Sequence, residues 1–205
     1  MDRTGEKEEK RIQCTACRST ICKDGKDCTG LKELIEARYG KPENREIFEA
    51  ASEIEGKYYM KYCRLEELIA FCRRMAYQRL GIAFCAGLAG EAEILDEILS
   101  RFFTVSSVCC KVCGMDKKNF TLVQIQEDRF EATCNPVGQA ELLKRDRTDL
   151  NIILGLCIGH DILFTKHSHA PVTTFVVKDR VLAHNPVGAL YSGYYQRNKF
   201  LENEK

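Results

Sequence analysis

The sequence predicts an α/β fold with an open, mostly parallel sheet and flanking helices. Two observations predict this class: apolar residues recur at helical spacing over residues 31–80, and short apolar runs alternate with amphipathic stretches over residues 81–205. Strands that alternate with helices need crossover connections, which place successive strands parallel. A third observation, a cysteine-rich stretch over residues 1–30, predicts a small metal-binding segment ahead of the helical region and the α/β domain.

The individual elements follow from these patterns. In the helical region, which we expect to pack on the core, Leu34, Ile47 and Leu68 belong to apolar helical faces, and Pro42 fits a first helical turn. In the α/β domain the alternation predicts four strands and three helices. In chain order these are strand 82–86, helix 91–101, strand 104–109, helix 138–145, strand 151–156, helix 160–167 and strand 172–177.

A short repeat lies within this domain. Residues 134–138 read Cys-Asn-Pro-Val-Gly, and residues 184–188 read His-Asn-Pro-Val-Gly. Asn suits a helix N-cap and Pro a first helical position, so both copies predict the start of a helix. Cys134 and His184 would then lie just outside two helix N-termini, whose partial positive charge favours a thiolate. Independent use of the same cap explains the repeat equally well.

Composition narrows the classes of function. The chain has 205 residues, which suits one main domain, and 31 basic against 30 acidic residues give a net charge of +1. Such a balance disfavours nucleic acid and anionic membranes as partners. The charged first residues predict a solvated start without a secretory signal, and no apolar run is long enough to span a membrane. We therefore expect a cytoplasmic protein whose twelve cysteines are core residues, metal ligands or redox thiols.

Four cysteines near the amino end form the first candidate site, with the spacing C-x2-C-x4-C-x5-C: Cys14, Cys17, Cys22 and Cys28. The segment is too polar to form a core, so coordination of one centre by four thiolates would have to order it. Tetrahedral cysteine sites hold zinc or an iron–sulfur cluster. The close spacing favours iron–sulfur, most simply a 4Fe-4S cluster, while the likeness to a zinc knuckle keeps zinc open.

A second group of cysteines falls at the predicted strand ends: Cys85, Cys109, Cys110, Cys113, Cys134 and Cys157. In open parallel sheets, ligands bind outside the carboxyl ends of the strands. Cys110 and Cys113 form a C-x2-C pair that can chelate a metal or cycle as a dithiol. Cys109, Cys134 and Cys157 would be further ligands or nucleophiles. Apolar neighbours give Cys85 and Cys157 an alternative role as core residues.

Several motifs resemble one prokaryotic family. They are GIAFCAGL at residues 81–88, SVCCKVCG at 107–114, CNPVGQA at 134–140, GLCIGHD at 155–161 and APVT at 170–173, with the cysteines and GKDCTG at residues 25–30 as the opening. Together they resemble the family DUF1847 over nearly the whole chain. The resemblance implies a metal-binding protein of a reducing cell, because many members come from anaerobes, and it implies no particular reaction.

The function expected from these patterns is redox or sulfur-related chemistry at a cysteine-lined pocket of a metal-binding protein. Cys110 and Cys113 would act as catalytic thiols, with His160 or His184 as the proton donor. The substrate would be a small molecule or a redox partner protein, and the sequence leaves the oligomeric state open. The alternative is a non-catalytic metal sensor, metallochaperone or adaptor that uses the same cysteines.

Overall fold

The computed structural model of the chain describes residues 12–201. The predicted solvated start therefore lies outside the described residues, apart from Ile12. Two compact units make up the chain, residues 1–49 and residues 50–205. Between residues 12 and 201, no helix combines the length and the apolar character that crossing a bilayer requires.

The first unit contains two single helical turns, a short helix and the first part of a longer helix that continues into the second unit. Single turns of 3-10 helix at Cys14–Ala16 and Ile21–Asp24 precede α1 (Lys32–Tyr39), and α2 (Pro42–Tyr58) begins at the predicted proline. The Asp27 carboxylate accepts hydrogen bonds from the backbone N–H groups of Thr29 and Lys32 at 2.7 and 3.0 Å. These bonds, that to Thr29 foremost, lower the pKa of Asp27 to about 2. From residue 12 to residue 49 every side chain is exposed except half-buried Ile21.

The second unit contains the sheet. Its strands are β1 (Arg79–Phe84), β2 (Thr104–Cys109), β3 (Leu150–Leu154) and β4 (Val172–Val176). After α2, its helices are α3 (Arg64–Arg74), α4 (Ala89–Leu99), α5 (Pro136–Arg145), α6 (His160–His167), α7 (Val187–Tyr191) and α8 (Gly193–Tyr195), followed by a π-helical turn at Gln196–Leu201. Single 3-10 turns lie at Ala86–Leu88 and Lys117–Phe120. The strand order is β2-β1-β3-β4 and every pairing is parallel, which confirms the predicted fold class.

Helices cover both faces of the sheet. On one face, Ile82 and Ile152 pack with buried residues of α3 and α4. On the other, Ala83 and Ile153 pack with buried residues of α5 and α6. Successive residues of a strand point to opposite faces, so β1 and β3, which are apolar at consecutive positions, are buried on both sides.

The element bounds agree closely with the prediction at β2 and α6 and differ at β1. That strand begins at Arg79, three residues before the predicted start, because residues 79–81 pair with residues 104–106 of β2. The Asp149 carboxylate supports this early start by accepting hydrogen bonds from the N–H groups of Gln78 and Arg79 at 2.7 and 2.8 Å. The strand also ends earlier than predicted, so Cys85 is the first residue beyond it.

The two copies of the repeat behave differently. In the first copy, Asn135 caps α5 as predicted, since its side chain accepts a 2.8 Å hydrogen bond from the N–H of Gly138. In the second copy, α7 begins at Val187 and Pro186 occupies the capping position, so the side chain of Asn185 makes no capping bond. The two residues before Asn185 have left-handed backbone conformations, with φ of 49° and 62°, which close a tight turn ahead of the helix.

The strand order determines where a ligand site would lie. From β1 the chain crosses to β2 on one side, and it later returns to β3 on the other side of β1. A crevice opens in such sheets outside the carboxyl ends of the strands at this reversal. The residues that follow β1, β2 and β3 are therefore placed at the usual ligand site of this fold class.

Candidate functional site

The strand-end cysteines lie at the carboxyl edge of the sheet. Phe84, at the end of β1, is in register with Cys109 of β2 and with Leu154 of β3, so the three strands end level with one another. Cys85 and Cys110 directly follow two of these strand ends, and Cys157 follows β3 after two more residues. This is the edge at which the sequence predicted a pocket.

Two of these thiols are in contact. The Sγ atoms of Cys110 and Cys134 are 3.8 Å apart. The chain leaves β2 through a turn in which Cys113 and Gly114 have left-handed backbone conformations, with φ of 71° and 56°. It returns to the edge where the N–H of Asn135 donates a 2.7 Å hydrogen bond to the carbonyl oxygen of Cys110. This return places Cys134 beside Cys110.

The surroundings of the two thiols shift their pKa values in opposite directions. The Cys134 thiol donates to the Cys110 Sγ while both are protonated, and Cys110 becomes the donor once Cys134 is ionised. That hydrogen bond, with positive charge from Lys111 and His160, lowers the pKa of Cys134 to about 5 against the effect of burial. The same hydrogen bond, followed by burial, raises the pKa of Cys110. The N–H of Ala86 donates to the Cys110 Sγ at 3.3 Å and opposes this rise. Cys110 is only 2% exposed, so we assign the thiolate to Cys134.

Basic side chains lie near two further thiols of this edge, Cys157 and Cys85. Arg180 donates from Nη2 to the Sγ of Cys157 at 2.8 Å. Lys178 lies near Cys85: a Cβ added to Gly87 would be 3.5 Å from the Lys178 Nζ and 4.0 Å from the Cys85 Sγ. Sequence reasoning missed both basic residues, although they follow β4 at the carboxyl edge. The rule that ligand-binding residues lie outside the carboxyl ends of the strands, which located the cysteines, applies to these two residues as well.

Gln139 joins the carboxyl ends of β1 and β2. This fully buried side chain on α5 donates from Nε2 to the carbonyl oxygens of Phe84 and Val108, at 3.2 and 2.7 Å. Its Oε1 atom is buried and has no hydrogen-bond partner among residues 12–201. Sequence reasoning missed Gln139 as well, and the signal available was a glutamine on the apolar face of an amphipathic helix.

The structure distributes the other predicted site residues differently. Cys113 is exposed, whereas Cys110 is buried and contacts Cys134. His160, the first residue of α6, is half-buried and contributes positive charge to Cys134. His184 accepts a 3.1 Å hydrogen bond at Nδ1 from the N–H of Asp179, so it stabilises the loop after β4. The predicted catalytic and ligand roles of Cys113, His160 and His184 stay predictions.

The four cysteines of the amino-terminal segment are all exposed: Cys14, Cys17, Cys22 and Cys28. The Ser19 hydroxyl, 3.4 Å from the Cys17 Sγ, lowers the pKa of that thiol together with backbone N–H groups. In the part of the chain that the structure describes, no three His, Cys, Asp or Glu side chains are arranged to hold a metal ion. Four thiols fit the donor chemistry of zinc or iron, but they are not gathered round one point, so both predicted metal sites stay predictions.

Comparison with known proteins identifies the family. Residues 22–175 match the family model described as "Protein of unknown function (DUF1847)". A protein of Methanocaldococcus jannaschii, whose name states only that it is uncharacterized, is 55% identical over 194 residues, which cover 94% of this chain and 100% of that protein. No solved structure shows significant similarity to the chain. The chain therefore belongs to the DUF1847 family, as its motifs indicated.

Proposed function

We propose that this protein carries out thiol–disulfide redox chemistry, with Cys134 as the attacking thiolate and Cys110 as the resolving thiol. The observation that carries the proposal is the 3.8 Å contact between half-buried Cys134 and buried Cys110 at the switch point of the sheet. A pKa of about 5 keeps Cys134 ionised at neutral pH, and the thiolate is the reactive form of cysteine. The substrate is a disulfide of a small molecule or a partner protein.

The reaction proceeds in two exchanges. The Cys134 thiolate attacks one substrate sulfur, the substrate S–S bond breaks, and the departing thiolate takes a proton from solvent. Cys110 then loses its proton to solvent and attacks the Cys134 Sγ. This second attack releases the remaining substrate thiolate and forms a Cys110–Cys134 disulfide. The substrate gains two electrons and the pair loses two, and a cellular dithiol reductant returns the pair to its reduced state.

The order of events follows from the hydrogen bonds. While Cys134 is a thiolate, its hydrogen bond holds the proton on Cys110. A mixed disulfide at Cys134 removes that negative charge and so removes the main cause of the raised pKa. The Ala86 N–H, 3.3 Å from the Cys110 Sγ, then favours the Cys110 thiolate. The buried thiol is thus activated only after the first exchange.

The decisive experiment traps the two exchanges separately. Reduced protein is mixed with a small disulfide, quenched with acid and analysed by peptide mass spectrometry. The unaltered chain should accumulate the Cys110–Cys134 disulfide, Cys110→Ala should accumulate a mixed disulfide on Cys134, and Cys134→Ala should form neither. Cys113→Ser is the matched control for an exposed neighbouring thiol and should behave like the unaltered chain. A pair that stays reduced while other thiols react would refute the proposal.

A second proposal concerns the amino-terminal cysteines. Between residues 12 and 49 only Ile21 is even partly buried, so burial does little to order the segment that carries four closely spaced thiols. We propose that Cys14, Cys17, Cys22 and Cys28 hold an iron–sulfur cluster, or alternatively zinc, as a structural or electron-relay centre. Transfer of that metal to another protein, as in a metallochaperone or a sensor, is the non-catalytic version of this proposal.

Metal analysis tests this second proposal. The chain is purified anaerobically from a cytoplasmic expression host and assayed for iron, zinc and acid-labile sulfide. An iron–sulfur cluster gives absorption near about 400 nm, whereas zinc gives a colourless protein. Cys22→Ser should abolish metal binding. Cys63 is an exposed cysteine at the N-cap of α3, and Cys63→Ser should leave metal binding unchanged. Absence of stoichiometric metal from the unaltered chain would reject the amino-terminal site, and unchanged metal in Cys22→Ser would reject this ligand set.

A further inference from the structure

Each of three thiols at the carboxyl edge has a basic side chain nearby: Lys111 lies beside Cys134, Arg180 contacts Cys157, and Lys178 lies near Cys85, on the other side of Gly87. From this arrangement we infer that the site takes an anionic disulfide, one that carries carboxylate groups a few atoms from its sulfurs. The inference rests on the proposed thiol–disulfide function and specifies its substrate class.

Lys178 is the strongest single indication. Its side chain is half-buried, and its Cδ would lie 3.8 Å from a Cβ placed on Gly155 at the end of β3, so the stem packs over the strand ends. It forms no hydrogen bond or ion pair with any residue between 12 and 201. With no counterion among these residues, the Lys178 ammonium is available to pair with an incoming carboxylate.

Arg180 and Gly87 extend the same argument. The Arg180 guanidinium has five N–H donors, and its contact with the Cys157 Sγ uses Nη2 alone. The side chain is exposed, so its other donors are available to a carboxylate. Near Cys85 and Lys178, a Cβ at Gly87 would make only ordinary van der Waals contacts, the nearest at 3.5 Å from the lysine nitrogen.

The acidic residues at this edge are already engaged. Asp179 accepts hydrogen bonds at Oδ1 from the N–H groups of Val181 and Leu182, at 2.9 and 2.8 Å. Asp161, in the first turn of α6, accepts at Oδ1 from the N–H of Ile162 at 2.8 Å. Both carboxylates accept hydrogen bonds from nearby backbone N–H groups, and neither forms an ion pair with Lys178. Among residues 12–201, neither Lys178 nor Arg180 therefore has a carboxylate partner, whereas Lys111 lies beside the Cys134 thiolate and donates to the carbonyl oxygen of Ala132 at 2.6 Å.

Two probes of similar size and opposite charge test the inference. They are 3,3′-dithiodipropionate, a dianion, and cystamine, a dication. Reduced protein reacts with each, and formation of the Cys110–Cys134 disulfide is followed by acid quench and mass spectrometry. Each rate is divided by the rate at which the same probe oxidises free dithiothreitol, which removes the difference in intrinsic reactivity. We expect the dianion to be favoured by about 10-fold or more at low ionic strength, with the preference falling at about 1 M salt.

Variants separate the site from the general charge of the protein. Lys178→Gln combined with Arg180→Gln should remove most of the preference for the dianion. Lys166→Gln, which removes an exposed lysine from the last turn of α6, should retain it. Equal normalised rates for both probes, a faster reaction with cystamine, or an unchanged preference in the double variant would overturn the inference and leave the redox pair standing. If neither probe oxidises the pair, the proposed function itself fails.

Discussion

The backbone N–H of Asn135 donates a 2.7 Å hydrogen bond to the carbonyl oxygen of Cys110. The side chain of Asn135 also caps α5 and donates from Nδ2 to the carbonyl oxygen of Val112 at 3.3 Å. One residue therefore fixes the start of the helix, the turn after β2 and the position of the thiol that precedes it. Cys134, the residue before Asn135, is thereby held beside Cys110.

Replacing this cap should weaken both the fold and the thiol contact. For Asn135→Ala we expect a loss of about 1 kcal/mol in the free energy of unfolding, because an N-cap bond disappears. We also expect slower formation of the Cys110–Cys134 disulfide. Asn135→Asp retains a side-chain acceptor for the N–H of Gly138 and should keep most of the stability. Urea denaturation measures the first effect, and equal stability of the alanine and aspartate variants would argue against the cap.

The reactivity of Cys134 should depend on pH with a midpoint near its pKa of about 5. Alkylation by iodoacetamide, followed on the Cys134 peptide, should rise through that pH and level off by neutrality. Cys110→Ala removes the largest cause of the lowered pKa, so the midpoint should move upward. Cys110→Ser should shift it less, because a hydroxyl can still donate to the thiolate. A midpoint near 9.0, the ordinary thiol value, in the unaltered chain would contradict the assignment.

The same pKa shift links stability to pH. The pKa of Cys134 is lower in the folded chain than the ordinary value of 9.0, so the folded state favours the thiolate. This contribution is fully present above about pH 9, declines as the pH falls, and is lost below the folded pKa of about 5. In urea titrations, the difference in unfolding free energy between the unaltered chain and Cys134→Ser should therefore shrink from pH 8 to pH 5. A constant difference would show that the thiolate is not stabilised by folding.

Gln139→Leu should destabilise the sheet edge. The carbonyl oxygens of Phe84 and Val108 would each lose one donor, and a hydrogen bond contributes about 0.5–1.5 kcal/mol net, although the Phe84 oxygen keeps its 2.9 Å bond from the N–H of Cys110. Glu141→Gln, at an exposed position of the same helix, is the control and should leave the free energy of unfolding nearly unchanged. Denaturation in urea compares the two variants. Equal stability for both would mean that these bonds contribute little.

Gly81 of β1 should not tolerate a side chain. A Cβ there would lie 2.2 Å from the Asn151 Oδ1 and 2.8 Å from the Leu143 Cδ1, and the Asn151 oxygen already accepts a 2.7 Å hydrogen bond from Thr148. Overpacking of this kind costs about 1–3 kcal/mol, which Gly81→Ala should show as a lower midpoint of thermal unfolding. Gly87→Ala, whose nearest new contact would be 3.5 Å, is the control. A Gly81→Ala variant as stable as this control would disprove the steric argument.

Local patterns predicted much of the fold. Strand 104–109 and helix 160–167 have the predicted bounds, and Gly159 with a left-handed backbone conformation marks the start of the helix. The first strand was placed too late, since residues 79–81 follow a helical pattern without a break and only pairing with β2 shows them to be a strand. Asn135 was predicted as a cap from its own neighbours, whereas Asn185 was displaced by a tight turn that its residue types do not signal.

Local sequence patterns do not predict which thiols are in contact. Spacing pointed to Cys110 with Cys113, but Cys113 has a left-handed backbone conformation at the start of a long loop and remains exposed. Cys110 instead meets Cys134, a residue 24 positions away that a hydrogen bond between backbone groups brings back to the sheet edge. Loop closure over that distance depends on contacts that the sequence does not display.

By itself, the sequence determined the parallel α/β class and the edge at which the cysteines gather, because alternating strands and helices force all strand ends onto one side. The tertiary structure alone decided which thiols touch and which basic groups lie beside them. The physical reason is the separation along the chain over which each interaction acts. Hydrophobic periodicity and helix capping involve residues a few positions apart. The contacts of Cys110 with Cys134 and of Cys157 with Arg180 join residues more than twenty positions apart.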